Sequence, residues 1–519
     1  MKKLAILFMF FFAGIITLQA QPRLSSEGVV IPVFGRTGYP NITISDRQGE
    51  YTGLLRGPTS SRKYTDKEGN NSAIIRFNNS SAEMSQSKFG IDRNYDIQTF
   101  FNGKETVTGI YSKYDRKEDI YAIYKDILPL AGNKHKSDPK LLANFSLASR
   151  DGKFTYFASS PDNTKHVFAL VVTDRKKNFK GLFVHVMNEN GEKEWEKELL
   201  PQFPHKNFDL QDITITPKGE ILMLLNSFNL EKRAKLAETI HILRIFENEE
   251  EMYDVKFPFR SIYEMKMKYI EENDKVVIAG FYAQSDKDHA TNLFSLTFNQ
   301  RTRSFTEFDK KNLANLAASN SKGNIFAAIG TKNFDYRCLG MELLENGDVC
   351  LLGEQYYFYT SITTNSKGYS KIVYNYDFRN IIISFVSNEG NILNTEKIEK
   401  SQFISRDWPL SRESFSKYGL GYDYFVQGSD VYVIFNDLIN NYTGKYKSRR
   451  LYVFSGKYKQ TCTMVGKISN DNKINLHMVN RYDNMPTYFQ RLINHNPEKR
   501  TAVLLYEDKK AYSLRFLNY

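Results

Sequence analysis

The stretch SDKDHATN, Ser285–Asn292, places Asp286, Asp288 and His289 within four residues, donors that suit a hard cation such as calcium. Nothing nearby completes a coordination shell, and the stretch reads as a solvated acidic loop; no metal or cofactor is expected. Nucleophilic chemistry finds no foothold either. The chain has no G-x-S-x-G elbow and no H-E-x-x-H helix motif, and GKET at Gly103 lacks the preceding glycine of a phosphate loop. SRDGKFT at Ser149 and SDRQGEYT at Ser45 come near a sialidase-type box, but their spacing is wrong and the tryptophan is missing. Paired carboxylates could hydrolyse a glycosidic bond, yet 59 acidic residues offer no distinguishable pair. His185 and His241 fall in expected strands and read as structural side chains. No residue is assigned a catalytic role.

Chemistry of recognition is better represented. QYYFYTSITTNSKGYSKIVYNYDFR, Gln355–Arg379, alternates Tyr356, Tyr357, Tyr359, Tyr369, Tyr374 and Tyr376 with polar residues and adds Lys367, Lys371 and Arg379. Tyrosine offers a rigid ring with a polar tip, suited to stacking on sugars or anchoring a protein contact. NNYTGKYKSRR, Asn440–Arg450, repeats that composition with Lys445, Tyr446, Lys447, Arg449 and Arg450, and Trp408 lies in the connection between them. These residues form the candidate binding face. Some of the tyrosines, Tyr356 and Tyr374 first, also suit packing at a strand edge.

The elements that must position this face are repeated. DITITPKGEILMLLNSF, Asp212–Phe228, is an alternating strand, a turn at Pro217-Lys218-Gly219, and a strand apolar on both faces. The same plan recurs at Phe145–Ser160, Glu264–Tyr282, Cys338–Tyr356, Tyr418–Asp437 and Tyr488–Asp508, with a seventh candidate at Tyr95–Ser112. A second, more polar hairpin follows at Leu182–Leu200, Ile240–Phe257, Leu293–Phe308 and Ile381–Ile398. Two hairpins make a four-stranded blade, and repeated blades make a β-propeller. The expectation is an all-β ring of six or seven four-stranded antiparallel blades over residues 95–519. A strand apolar on both faces is then natural, because each inner blade strand is covered by neighbours on either side.

The short turns within hairpins share one rim. The opposite rim receives the long insertions Asn226–Glu238, Phe281–Thr291, Gln355–Arg379 and Asn436–Arg450, with the interblade stretches Asp309–Arg337 and Lys400–Lys417. Loops on a rigid scaffold are where binding residues gather.

With its leader and hairpins from about Tyr95 to Tyr519, the chain resembles the exported β-propeller proteins of Gram-negative bacteria. It lacks the Gly-His and Trp-Asp signatures of WD40 blades. Residues 21–94, rich in Gly, Ser, Asn and Arg, read as a lead-in. GVVIPVF (Gly28–Phe34) or SAIIRF (Ser72–Phe77) could supply a ring-closing strand to the last blade.

Lys2 and Lys3, the apolar run Leu4–Leu18 and the small residue Ala20 before Gln21 form a secretory signal peptide over residues 1–20. The run is short for a bilayer-spanning helix, and no later stretch is apolar enough to span. The expected location is periplasmic, cell-surface or secreted. The formal charge of +12 favours anionic partners: an acidic glycan or an acidic envelope protein, with peripheral attachment to the envelope also compatible. Nucleic acid is disfavoured by export and by the lack of a compact basic motif. The leading expectation is a non-catalytic binding or scaffold protein; the alternative is a polysaccharide-acting hydrolase or lyase with carboxylates in the central channel. Cys338 and Cys350 lie too far apart along their hairpin to join, and Cys462 has no local partner, so free buried thiols are expected.

Overall fold

In the computed structural model, the strand Ile221–Asn229 pairs along one edge with Phe208–Ile215 and along the other with Leu236–Phe246. Its successive side chains point to opposite faces, as in any strand. Ile221, Met223 and Leu225 enter one core with Val167, Val184 and Val186 from the preceding sheet. Leu222 and Leu224 enter a second core with Met267, Ile278 and Phe294 from the following sheet. Both faces of the strand are therefore dry, and its run of five apolar residues is explained.

The structure describes residues 22–519 except 25–28, 32–40, 48–49, 57–71, 79–83, 91–93, 103–105, 130–133, 137, 148–150, 176–178, 200–207, 230–235, 260, 285–291, 314–315, 317–334, 365, 411–414, 416–418, 443–450, 453–460, 470–472, 482–486, 497–499 and 509–510. Within them, sheets follow one another along the chain. Blade 1 spans Asn41–Gly90, blade 2 Asp96–Ser146, blade 3 Gly152–Leu199, blade 4 Phe208–Lys256 and blade 5 Ser261–Asn312. Blade 6 runs from Asp335 to Ile398 and blade 7 from Asp423 to Arg481. Blade 8 takes Thr487–Asn518 and is completed by Arg23–Leu24 and Val29–Ile31, both antiparallel to Ala511–Asn518. Residues 96–518 thus supply seven sheets, the upper expected number, and Asn41–Gly90 form one more.

The order of the strands is that of a propeller. In blades 1 to 7 the first strand in sequence lies innermost and later ones lie outward, while in blade 8 Thr487–Asn496 is innermost and the N-terminal strands Arg23–Leu24 and Val29–Ile31 are added at the outer edge. The cores lie between blades rather than within them. Ile110 and Ile123 of blade 2 meet Phe168 and Leu170 of blade 3, and Val277 and Phe281 of blade 5 meet Leu351 and Ile382 of blade 6. Leu352 and Ile383 then meet Val431 and Val433 of blade 7, while Ile434 and Val465 meet Leu504 and Tyr506 of blade 8. The inner strand of blade 1, Asn41–Arg47, lies beside those of blades 2 and 8 and closes the ring.

Side chains stitch the inner strands together as well. Asp212 of blade 4 accepts a hydrogen bond from Met267 N–H at 3.0 Å, Glu264 of blade 5 from Cys338 N–H at 2.7 Å, and Asp423 of blade 7 from Leu492 N–H at 2.5 Å. Each carboxylate satisfies a backbone donor on the inner strand of the next blade, and two of those donors, Cys338 and Leu492, stand beside a β-bulge.

One expected hairpin is absent. Phe145 lies in the outer strand of blade 2, which ends at Ser146, whereas Gly152 opens the inner strand of blade 3 and pairs with Thr173. The Asp151-Gly152 step therefore links two blades. Cys338 stands opposite Gly353 and Cys350 opposite Glu342, and all three cysteines are buried thiols outside any disulfide.

Candidate functional site

In blade 6 the second and third strands are Val349–Thr364, of 16 residues, and Ser370–Val386, of 17. Corresponding strands of blades 3, 4 and 5 have 8 to 11 residues. The excess is the Tyr-rich stretch. It is not a loop: Tyr356 pairs with Phe378, and the ladder continues without a break to Thr364 opposite Ser370. Its Tyr, Phe, Ile and Thr residues are strong strand formers. The turn closes at Gly368, whose φ of 81° needs glycine. A register shift at Gln355 separates the blade half from the projecting half. Gln402–Arg406 pairs with Tyr374–Phe378, and Leu451–Tyr452 lies parallel to Gln402–Phe403, giving the projection four strands at its root. It rises from the rim that carries the long connections.

Strand alternation gives the projection two unlike faces. One carries Tyr357 and Tyr359, whose rings stack at 5.3 Å and 28°. Asn375 on the same face donates to Ser361 Oγ at 2.9 Å and accepts from Ser405 Oγ at 2.7 Å. Arg379 pairs with Asp377 at 2.9 Å and donates to Ser401 Oγ at 3.0 Å. Two flat rings beside fixed amide, hydroxyl and guanidinium groups can hold a polar, ring-shaped ligand by stacking and hydrogen bonding. The other face carries Phe358, Ile362, Ile372 and Tyr374 above the buried Tyr376 and Ile404.

The root of the projection is held by charges inside the protein. Glu354 is fully buried; Arg337 Nε and Nη2 donate to its Oε2 at 3.0 and 2.5 Å, and Lys400 Nζ donates to its Oε1. Tyr356, Phe378 and Phe415 surround the Arg337 guanidinium, with ring centroids 4.9–5.3 Å away. Burial alone would raise the Glu354 pKa, but Lys400 and Arg337 outweigh it and hold the carboxyl below its ordinary value. Burial lowers the Lys400 pKa, against the pull of Glu354. The carboxylate has two cations against it, whereas Lys400 feels the second cation, Arg337, as well as Glu354. Gln402 accepts from Lys400 and from Gly421 N–H, and donates to the Asn436 carbonyl. Asn436 in turn donates to the carbonyls of Gly419 and Phe489. The network ties blades 6, 7 and 8 together beneath the projection.

Of the residues named from sequence, Tyr357, Tyr359, Lys367, Tyr369, Lys371, Arg379 and Trp408 reach the surface of the projection. Lys371 is paired with Asp407 at 2.8 Å, and Arg406 lies 5.6 Å over the Trp408 ring. Tyr374 and Tyr356 are half-buried. Tyr376 is buried and its Oη accepts from Leu410 N–H at 2.7 Å, which makes it part of the packing under the face. Lys445, Tyr446, Lys447, Arg449 and Arg450 lie outside the described residues, as do Asp286, Asp288 and His289. Among the described residues no grouping of three or more His, Cys, Asp or Glu could hold a metal ion. Burial lowers the His185 pKa to about 4, against a hydrogen bond to Glu196. His241 is buried with Nδ1 2.6 Å from Asp254. Arg337, Glu354, Lys400 and Gln402 are not among the site residues named from sequence; charged and polar residues set inside the apolar runs around Cys350 and Phe403 are the only signal that could have marked them.

A pocket of about 620 Å³ opens on the opposite rim among Glu342, Glu345, Tyr424, Gln427 and His495. Glu342 is already engaged, accepting from Tyr424 Oη at 3.1 Å and pairing with Lys268 at 2.7 Å.

No family model matches the chain, and no characterised protein matches its sequence. Among solved structures the chain is similar to the polysaccharide lyase Uly1, at 10% identity and a TM-score of 0.41, covering 96% of this chain and 93% of that one. It is also similar to the β-propeller domain of Cps50 (Swd1) from Myceliophteria thermophila, at 8% identity and a TM-score of 0.31, covering 82% and 99%. The β-propeller domain of the trilobed protease from Pyrococcus furiosus gives 9% identity and a TM-score of 0.30, covering 70% and 96%. The propeller fold of this chain rests on its sheet order and interblade cores.

Proposed function

We propose that this chain is an exported, non-catalytic binding propeller that recognises an anionic glycan of the cell envelope through the polar face of the blade 6 projection. One observation carries the reading: the stacked Tyr357–Tyr359 pair, fixed beside Asn375, Ser361 and Arg379 on a projection no other described blade has. The rings supply stacking area at little entropic cost, and basic groups around them favour an anionic ligand. An acidic envelope protein would use the same chemistry and is the next candidate. The inner-strand carboxylates weigh against a channel enzyme, because Asp212, Glu264 and Asp423 are committed to backbone donors of the next blade.

A glycan array on the purified protein should return acidic oligosaccharides, with binding that weakens as salt rises. Tyr357→Ala with Tyr359→Ala should lower affinity by about tenfold, the scale of two lost ring contacts at roughly 0.5–1.5 kcal/mol each. Lys218→Ala with Lys275→Ala, on the tight-turn rim, is the control. Equal weakening by both pairs would mean that binding is not confined to the projection and would remove the site.

The second reading is a polysaccharide-acting hydrolase or lyase, favoured only by the pocket that contains Glu342 and Glu345. Release of oligosaccharides from an acidic polysaccharide, abolished by Glu345→Gln, would replace the binding reading with this one.

A further inference from the structure

The apolar face of the projection has the wrong chemistry for a sugar. Ile362 and Ile372 are direct cross-strand partners, yet they are 73% and 53% exposed. Phe358 on the same face is 44% exposed, and Trp408, beside Arg406 on the next strand, is 54% exposed. Aliphatic side chains offer a glycan neither a ring to stack on nor a hydrogen bond. Nor does the face suit a second copy of this chain. It is two to three strands wide and a few residues long, well short of the roughly 800 Å² that each partner buries in a stable interface. Further toward the ring the same face is closed by Tyr376, Ile404, Phe415 and Leu420, so the open part is confined to the outer half.

We infer that this face docks on an anionic lipid surface, with Ile362, Ile372 and Phe358 buried at the boundary between headgroups and acyl chains. The arrangement is the strand counterpart of an interfacial amphipathic helix: apolar on one side, polar on the other, lying in the plane of the membrane. Trp408 and Tyr369 (72% exposed) sit at the margin, where amphipathic rings favour the headgroup level. Lys367 at the turn and Arg406 beside Trp408 flank the apolar patch, and long basic side chains can reach lipid phosphates while their stems stay apolar. The +12 formal charge of the chain favours the same sign of partner. Lipid docking by this face leaves Tyr357 and Tyr359 on the outward side, so the inference does not depend on the glycan reading and fails separately from it.

The chain provides its own reporter, because it holds only two tryptophans, Trp195 and Trp408. Vesicles of phosphatidylcholine alone and with about one-third phosphatidylglycerol would be titrated into the purified protein, following tryptophan emission and co-sedimentation. The expected result is a blue shift and sedimentation with the anionic vesicles, both reduced by salt, and little of either with phosphatidylcholine alone. Trp408→Phe should remove the shift but not the sedimentation. Ile362→Ser with Ile372→Ser should weaken vesicle binding by about tenfold while leaving the thermal midpoint and any glycan binding unchanged. Tyr357→Ala with Tyr359→Ala should leave vesicle binding intact. The inference is overturned if neither vesicle binds, if the isoleucine pair makes no difference, or if a soluble envelope protein binds through the isoleucines while vesicles do not.

Discussion

Replacing Glu354 with glutamine is expected to lower stability by about 3–5 kcal/mol, the scale for removing one partner of a buried ionic group. The reason is what remains behind. Arg337 and Lys400 both donate to this carboxylate, and Lys400 is fully buried, so the amide would leave two cations facing each other with one neutral acceptor. Urea unfolding followed by circular dichroism would measure the loss. Replacing the whole cluster with apolar residues, Arg337→Met, Glu354→Leu and Lys400→Met, should cost much less, because no charge is stranded. If Glu354→Gln changes stability by less than about 1 kcal/mol, the charges are not sealed from water as the geometry implies. The cluster also has a signed pH dependence. Glu354 is held below its ordinary value of 4.5, so its contribution is complete above that pH and is lost as pH falls through the lowered folded value.

Asp437 gives the second large effect, and its sign is opposite. Burial pushes its carboxyl up to about 7, against hydrogen bonds from Leu438 N–H and Asn441 Nδ2 and the influence of Lys400. Between its ordinary value of 3.8 and about 7, the folded chain therefore holds a proton that the unfolded chain has released. Stability from this group is greatest at low pH and falls as pH rises through that window. At about 1.4 kcal/mol per pKa unit the span is on the order of 4 kcal/mol. Asp437→Asn carries no titrating proton, so its stability between pH 4 and 7 should lie flatter than that of the parent by roughly this amount. Unfolding midpoints at half-unit pH steps would show it; parallel curves for the two proteins would mean that Asp437 is hydrated and titrates normally.

These two groups also mark where sequence reading stops. The second strand of most blades is legible from a one-dimensional pattern, because apolar residues in unbroken succession, as in Ile221–Leu225, make sense only when both faces are covered. The hairpins at 208, 264, 338 and 488 follow from it. The Phe145–Ser160 stretch shows the limit of local signals. Asp151-Gly152 has the composition of a hairpin turn, yet Gly152 pairs with Thr173 rather than with the strand before it, a choice made by long-range burial of Val167–Val172. The Tyr-rich stretch is legible as a projecting, largely exposed segment but not as a strand pair, since alternating tyrosine and polar residues suit a loop or a strand. Its two unlike faces arise only once Tyr356 is fixed opposite Phe378, because that register sends Phe358 and Ile362 one way and Tyr357 and Tyr359 the other. The buried cluster could not be read as a cluster at all: Arg337 and Glu354 meet only once their hairpin register sets them opposite each other, and Lys400 reaches them from the connection after Ile398.

The closure of blade 8 has a kinetic side. Arg23 pairs with Asn518 and Val29 with Leu514, contacts separated by nearly the whole chain, whereas most strand pairs of the other blades are made in immediate succession. The entropy of joining distant ends grows only with the logarithm of separation, so this closure costs about 2 kcal/mol more than closing a loop the size of one blade. What it demands is order in time. The first strand to emerge must wait for the last, and until then Ala511–Asn518 has an open edge of the kind that recruits strands from other molecules. Assembly of the ring should end with this step, and during refolding the balance between closing and clumping should be set by protein concentration.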